Sequence, residues 1–94
     1  MFDKMKALMD MQKKMSQLKR ELDNTNFEVT STDGSIKITM NGSQEVKEIK
    51  INSVPAGELE GLLKDTFNRA IRRSHELAAE KTKELTGFGL PGLP

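Results

Sequence analysis

Cationic side chains carry the sharpest chemical pattern in this 94-residue chain. Lys6, Lys13 and Arg20 recur every seven residues, with Lys14 beside them and Lys4 and Lys19 nearby. On a helix rising about 1.5 Å per residue, that recurrence puts positive charge on one face in steps of roughly 10 Å. Such a stripe suits a run of phosphates, because each cation that neutralises a phosphate releases condensed counterions. A solvated helix face is the plainer reading of the same pattern. Arg69, Arg72 and Arg73 form a second cluster, with Asp65 and Glu76 placed to offset part of it. The first twenty residues hold six basic side chains against two acidic ones, a net +4, while the whole chain sums to only +1. A distribution this uneven points to a polyanion or an anionic membrane surface as partner.

Other chemistries are poorly supplied. The chain has no Cys, which excludes a thiol nucleophile, a disulfide framework and a thiolate metal site. His75 is the only imidazole, so neither a His-based metal site nor a Cys–His pair can form, and it reads as an exposed helix-face residue. Glu60 with Lys64 and Asp65 with Arg69 have the favourable i,i+4 order and read as surface ion pairs. Asp33-Gly34-Ser35 and Asn41-Gly42-Ser43 lack the glycine spacing and lysine of a phosphate-binding loop and read as turns. Without Trp or Tyr, and with four Phe, there are few rings on which unpaired bases could stack, which favours duplex over single-stranded nucleic acid. No recognition helix or zinc finger is present to read base edges. The expectation is therefore a binding protein, not an enzyme, with no cofactor, no metal and no small-molecule substrate.

The elements that must hold these cations follow from periodicity. Leu8, Met11, Met15, Leu18 and Leu22 alternate spacings of three and four, predicting one helix over residues 2 to 23, about 33 Å long. A domain of this size cannot cover such a helix, so it should project or pack against a partner. Met5, Met9, Met11 and Met15 read first as ordinary helix packing, and second as a soft binding surface. The period then changes to two. Phe27, Val29 and Ser31, then Ile36, Ile38 and Met40, then Val46, Ile49 and Ile51 predict a three-stranded antiparallel meander, with turns at Asp33-Gly34 and Asn41-Gly42. A phase slip between Val46 and Ile49 implies a bulge or a late strand start. After the loop at 52 to 57, Glu58 to about Leu85 predicts a second long helix. Its apolar first half should cover the sheet while its charged second half extends outward. The architecture is α+β in a single domain, residues 1 to 86, with a flexible Gly/Pro tail at 87 to 94. No apolar run approaches the roughly 18 to 20 residues of a membrane span, and early charges argue against a secretory signal, so the expected location is the cytoplasm.

These features together resemble the YbaB/EbfC nucleoid-associated proteins of bacteria. The likeness rests on Met5-Lys6 followed by Met11-Gln12-Lys13-Lys14-Met15, on Gly34-Ser35-Ile36-Lys37-Ile38-Thr39-Met40-Asn41-Gly42, on Val46, Ile49 and Ile51, and on Phe67-Asn68-Arg69-Ala70-Ile71-Arg72-Arg73. It implies a homodimer whose sheets form a shared centre and whose helices project like tweezers. It further implies double-stranded DNA as partner, a place in the nucleoid and effects on nucleoid organisation and gene regulation. Family DNA contacts map here to Lys4, Lys6, Lys13, Lys14, Lys19 and Arg20, and to Arg69, Arg72 and Arg73. A rival reading is an adaptor that binds a protein partner through the Met/Leu seam.

Overall fold

A computed structural model describes residues 2–86. Helix α1 (Phe2–Asn24) leads into β1 (Asn26–Thr30), β2 (Ile36–Asn41) and β3 (Val46–Ile51), and α2 (Leu59–Thr86) follows. The strands form one antiparallel sheet in the order β1-β2-β3. This is the α+β arrangement that the periodicity predicts. The tail at 87–94 lies outside the described residues.

Register explains which apolar side chains meet. Val29 faces Ile38 and Phe27 faces Met40 across β1 and β2, while Ile38 faces Ile49 and Ile36 faces Ile51 across β2 and β3. Thr39 pairs with Glu48 but Met40 pairs with Val46, so Lys47 is an extra residue in β3. That bulge is the structural form of the phase slip. Helix α2 covers this face only in part. Ile36, Ile38, Met40 and Ala70 form the buried core, with Phe27, Val29, Leu62, Leu63 and Phe67 packed around it. Each fully buried isoleucine contributes about 2 to 3 kcal/mol of apolar transfer. On the same face, Val46, Ile49 and Ile51 remain 44%, 42% and 46% exposed, because α2 lies over β1 and β2 and stops short of β3.

The second half of α2 leaves the sheet, as expected, but it does not stand alone. It runs antiparallel to α1: Lys81 lies by Gln17, Arg20 and Glu21, and Thr86 by Ala7, Met11 and Lys14. Leu77 and Thr82 are buried in that half. The charged composition after Glu76 conceals this contact because Leu77, Ala78 and Thr82 suffice to pack one narrow stripe. On α1, Leu18 and Leu22 are half-buried whereas Leu8, Met11 and Met15 are exposed, so the methionine seam is not ordinary packing within one chain. The molecule is elongated, 64 × 22 × 16 Å.

The two turns differ in what they ask of glycine. Gly34 has φ +80°, the left-handed region that glycine adopts without steric cost. In the second turn the positive φ falls on Gln44 (63°), not on Gly42. Gly42 is required for proximity instead: a Cβ there would lie 2.7 Å from Leu22 Cδ2 and 3.3 Å from Leu22 Cα.

Candidate nucleic-acid interface

The base of α1 is held to the sheet by polar contacts around Asn41. The Gly42 amide donates to Leu22 O at 3.0 Å and to Thr25 O at 3.1 Å. Asn41 is fully buried: its Nδ2 donates to Asp23 O (3.1 Å) and Glu45 Oε1 (2.9 Å), and its Oδ1 accepts from the Ser43 and Glu45 amides, each at 2.9 Å. Ser74 Oγ donates to Asn41 O at 3.1 Å, joining α2 to the same turn. Nearby, the Ser43 hydroxyl, and then Lys19, hold the Asp23 carboxyl below its ordinary value of 3.8. Every donor and acceptor of the Asn41 amide is used, as a buried amide demands. The sequence predicts only a turn here, whereas the segment is the junction of helix, helix and sheet. The signal was an Asn-Gly pair directly after an apolar strand.

Beyond the junction, the cations separate into two classes. Lys4, Lys6, Lys13, Lys14 and Arg20 have no carboxylate within ion-pair distance among the described residues. Lys19 pairs with Asp23 at 3.2 Å, Arg73 with Glu76 at 3.3 Å and Glu80 at 3.5 Å, and Arg69 Nη2 donates to Thr30 O at 2.8 Å. Arg72 has no such partner among the described residues and lies with Arg69, Asn68 and Asp65 beside Thr32 at the sheet end of α2. The sheet lysines are also paired: Lys37 with Glu28, Lys47 with Glu45 and Lys50 with Glu48, all within 4.0 Å. Among the described residues, unpaired positive charge thus lies on the two helices rather than on the sheet, as Lys4, Lys6, Lys13, Lys14 and Arg20 on α1 and Lys64, Arg69, Arg72 and Lys83 on α2. Surface pairs of this kind add little stability, but each places a negative charge beside the cation and so weakens the attraction a polyanion meets there.

Several expectations need correcting. Lys14 does not lie beside the Lys6, Lys13 and Arg20 face; it lines the flank toward the end of α2 with Ala7, Asp10 and Met11. Lys4 is on the apolar side too, with Ala7, Leu8 and Met11. Successive residues on a helix are turned by about 100°, which separates Lys13 from Lys14. Neither Glu60–Lys64 nor Asp65–Arg69 forms an ion pair; Arg69 is drawn to the end of β1 instead. His75 is half-buried rather than exposed. Lys81, which composition gave no reason to single out, joins Gln17 and Arg20 in one depression between the helices. The outer face of α1 also presents Met9, Gln12, Ser16 and Gln17 alongside Lys13 and Arg20.

Away from this surface the β1–β2 turn is tied by Asp33, whose Oδ1 accepts from Ser31 Oγ (2.6 Å), Ser35 Oγ (2.7 Å) and the Ser35 amide (3.0 Å). The Ser31 hydroxyl, followed by the Ser35 hydroxyl and amide, lowers the Asp33 carboxyl from 3.8 to about 2. No cluster of three or more metal-ligating side chains occurs among the described residues, and none of the described helices is long and apolar enough to cross a membrane.

Comparison with known proteins places this geometry in context. The family model for the YbaB/EbfC DNA-binding family matches residues 1–90. A nucleoid-associated protein of Dictyoglomus thermophilum is 37% identical over 94 residues, covering 99% of this chain and 90% of the relative. One from Ruminiclostridium cellulolyticum is 36% identical over 95 residues, covering 96% and 82%. The crystal structure of an uncharacterised protein from Helicobacter pylori shares the fold, with TM-score 0.63 and 22% identity over 87% of this chain and 99% of that one.

Proposed function

The chain belongs to the YbaB/EbfC DNA-binding family, and from that premise we propose that it is a nucleoid-associated protein that binds duplex DNA with low sequence specificity. Two copies present the outer faces of their α1 helices to the phosphate backbone, in the bacterial cytoplasm at the nucleoid, and so affect nucleoid organisation and gene regulation. Lys6, Lys13 and Arg20 make the principal contacts, and Lys4, Lys14 and Arg72 add to them. Lys19, Arg69 and Arg73 contribute less, since each is already engaged. The observation that carries this reading is the contrast in pairing: the sheet lysines are neutralised and the α1 stripe is not.

The homodimer is supported by the apolar row Val46, Ile49 and Ile51, which continues the core face past the edge of α2 and which a second copy would cover. No step of this function requires bond chemistry, a cofactor or a small-molecule substrate. Titration of unrelated duplexes at two salt concentrations tests the proposal. Tight binding at low salt that falls steeply as salt rises is the expected result. Absence of binding at low salt, or indifference to salt, overturns it.

The exposed row Leu8, Met11 and Met15 favours one second reading, an adaptor that holds a protein partner by this seam. Substituting Lys6, Lys13 and Arg20 with Glu separates the two: DNA binding is lost under the first reading, and capture of a protein partner survives under the second.

A further inference from the structure

The side of α1 turned away from α2 is both apolar and free of acids. Met5, Leu8, Met9, Met11 and Met15 are each between 40% and 65% exposed among the described residues. At about 100° per residue they spread over an arc of roughly 160° around the helix axis, from Met11 to Met9. Unpaired cations border both edges of that arc. Lys14 stands beside Met11 at one edge, and Lys13 and Arg20 stand beside Met9 at the other. Lys4 lies within it, its stem lining an apolar depression with Ala7, Leu8 and Met11. Asp3 and Asp10, the acids of the first twenty residues, are seven residues apart and share one row, and Asp10 lies on the flank beside Thr86 of α2. Glu21 likewise lies with Lys81 in the depression between the helices.

We propose that this face lies flat on the anionic surface of a lipid bilayer, with Leu8 and the methionines entering the headgroup boundary and the bordering cations meeting lipid phosphates. Phosphate contact alone accounts for the cations but leaves five exposed apolar side chains in water. A bilayer surface takes up both. A helix with an apolar face and a cationic border sinks the first about 5 to 10 Å into the interface and pairs the second with anionic headgroups. The breadth of the arc distinguishes this partner from another helix, because a helix–helix seam is a single narrow a/d row. Charge distinguishes it from a second copy. Two such faces would bring unpaired lysines and arginines together with no carboxylate between them. Lys4 has the form that an interface favours, an apolar stem beside Leu8 and a terminal ammonium able to reach the headgroups. From Met5 to Arg20 the face runs about 23 Å along the helix. Lys13 and Arg20 serve lipid and DNA alike, so the two surfaces compete for α1.

Flotation of the full chain with vesicles tests the assignment. Vesicles of equal parts phosphatidylglycerol and phosphatidylcholine should bind it at least about tenfold more tightly than phosphatidylcholine alone. Met5→Gln, Leu8→Gln and Met11→Gln together preserve charge and helix propensity. They should weaken vesicle binding at least about tenfold while leaving duplex affinity within about twofold. In a Leu8→Trp chain, anionic vesicles should shift the indole emission to the blue as the ring leaves water, and duplex DNA should not. Absence of binding to anionic vesicles overturns the proposal, and so does equal binding by the Gln variant, which would mean that charge alone holds the chain. Equal blue shifts with vesicles and duplex, or equal losses of vesicle and duplex affinity in the Gln variant, assign the face to DNA and overturn it. A fall in sedimentation mass on substitution assigns the face to a second copy and overturns it too. The vesicle measurements contain no DNA, so their failure is distinct from failure of the nucleic-acid reading.

Discussion

Replacing Lys6, Lys13 and Arg20 together with Gln removes the unpaired stripe and changes the formal charge of the chain from +1 to −2. Each phosphate neutralised on duplex DNA contributes about 0.9 to the slope of log affinity against log salt. In the proposed dimer the stripe comprises six cations, so the substituted protein should lose on the order of 5 units of slope if all six engage. Over a fourfold rise in salt those contacts alone are worth roughly a thousandfold in affinity. The informative control is Lys37, Lys47 and Lys50 to Gln, which removes the same charge from residues already paired with Glu28, Glu45 and Glu48. Fluorescence anisotropy with a labelled duplex at several salt concentrations reads both slopes. The stripe variant should flatten the plot, and the sheet variant should leave most of its slope intact. Equal losses from the two variants would refute the reasoning, because binding would then follow net charge and not the placement of free cations.

Other perturbations have defined outcomes. Gly42→Ala forces a Cβ against Leu22 and should lower stability by about 1 to 3 kcal/mol, seen as a reduced urea midpoint, whereas an unchanged midpoint would mean the contact relaxes freely. Asn41→Ala deletes four hydrogen bonds at a fully buried site and should cost at least about 2 kcal/mol by the same measurement. The Asp33 carboxyl is lowered from 3.8 to about 2, so its contribution is complete above about pH 4 and is lost as pH falls toward 2. Asp33→Asn should therefore weaken the fold at neutral pH and flatten its acid titration over that window; an unchanged titration would assign acid sensitivity elsewhere. Ile49→Asp, at the centre of the uncovered apolar row, should shift the sedimentation mass from dimer to monomer, and a mass that does not change removes the β3 face from the interface.

Much of the architecture was legible because it rests on local period. The switch from helical spacing at Leu22 to alternation at Phe27 marks both boundaries, and the slip between Val46 and Ile49 appears as the extra residue Lys47 in β3. What could not be read depends on which distant residues meet. Lys37 is neutralised by Glu28 across a strand pair, and Arg69 finds Thr30 O thirty-nine residues away, so spacing within one helix predicted the wrong partner. The same holds for the second half of α2, whose packing on α1 follows from the angle set at Asn41 and Gly42. Of the candidate site, the shared surface of Lys13 and Arg20 follows from their seven-residue spacing, while Lys14 and Lys4 turn toward apolar neighbours.

The Asn41-Gly42 junction also acts as the pivot of a lever. Lys6 lies sixteen residues from Leu22, about 24 Å along α1. Relief of about 1 Å at Gly42, acting across a helix backbone roughly 5 Å wide, would tilt the rod by about 10° and carry Lys6 sideways by about 4 Å. Successive phosphates on one strand are about 3.4 Å apart along the duplex axis. Because α2 packs along α1 as far as Ala7 and Met11, a methyl group at the pivot would move the far charge by such a step only where the two helices shift together, so the smallest residue in the turn bears on the angle of the whole helix pair.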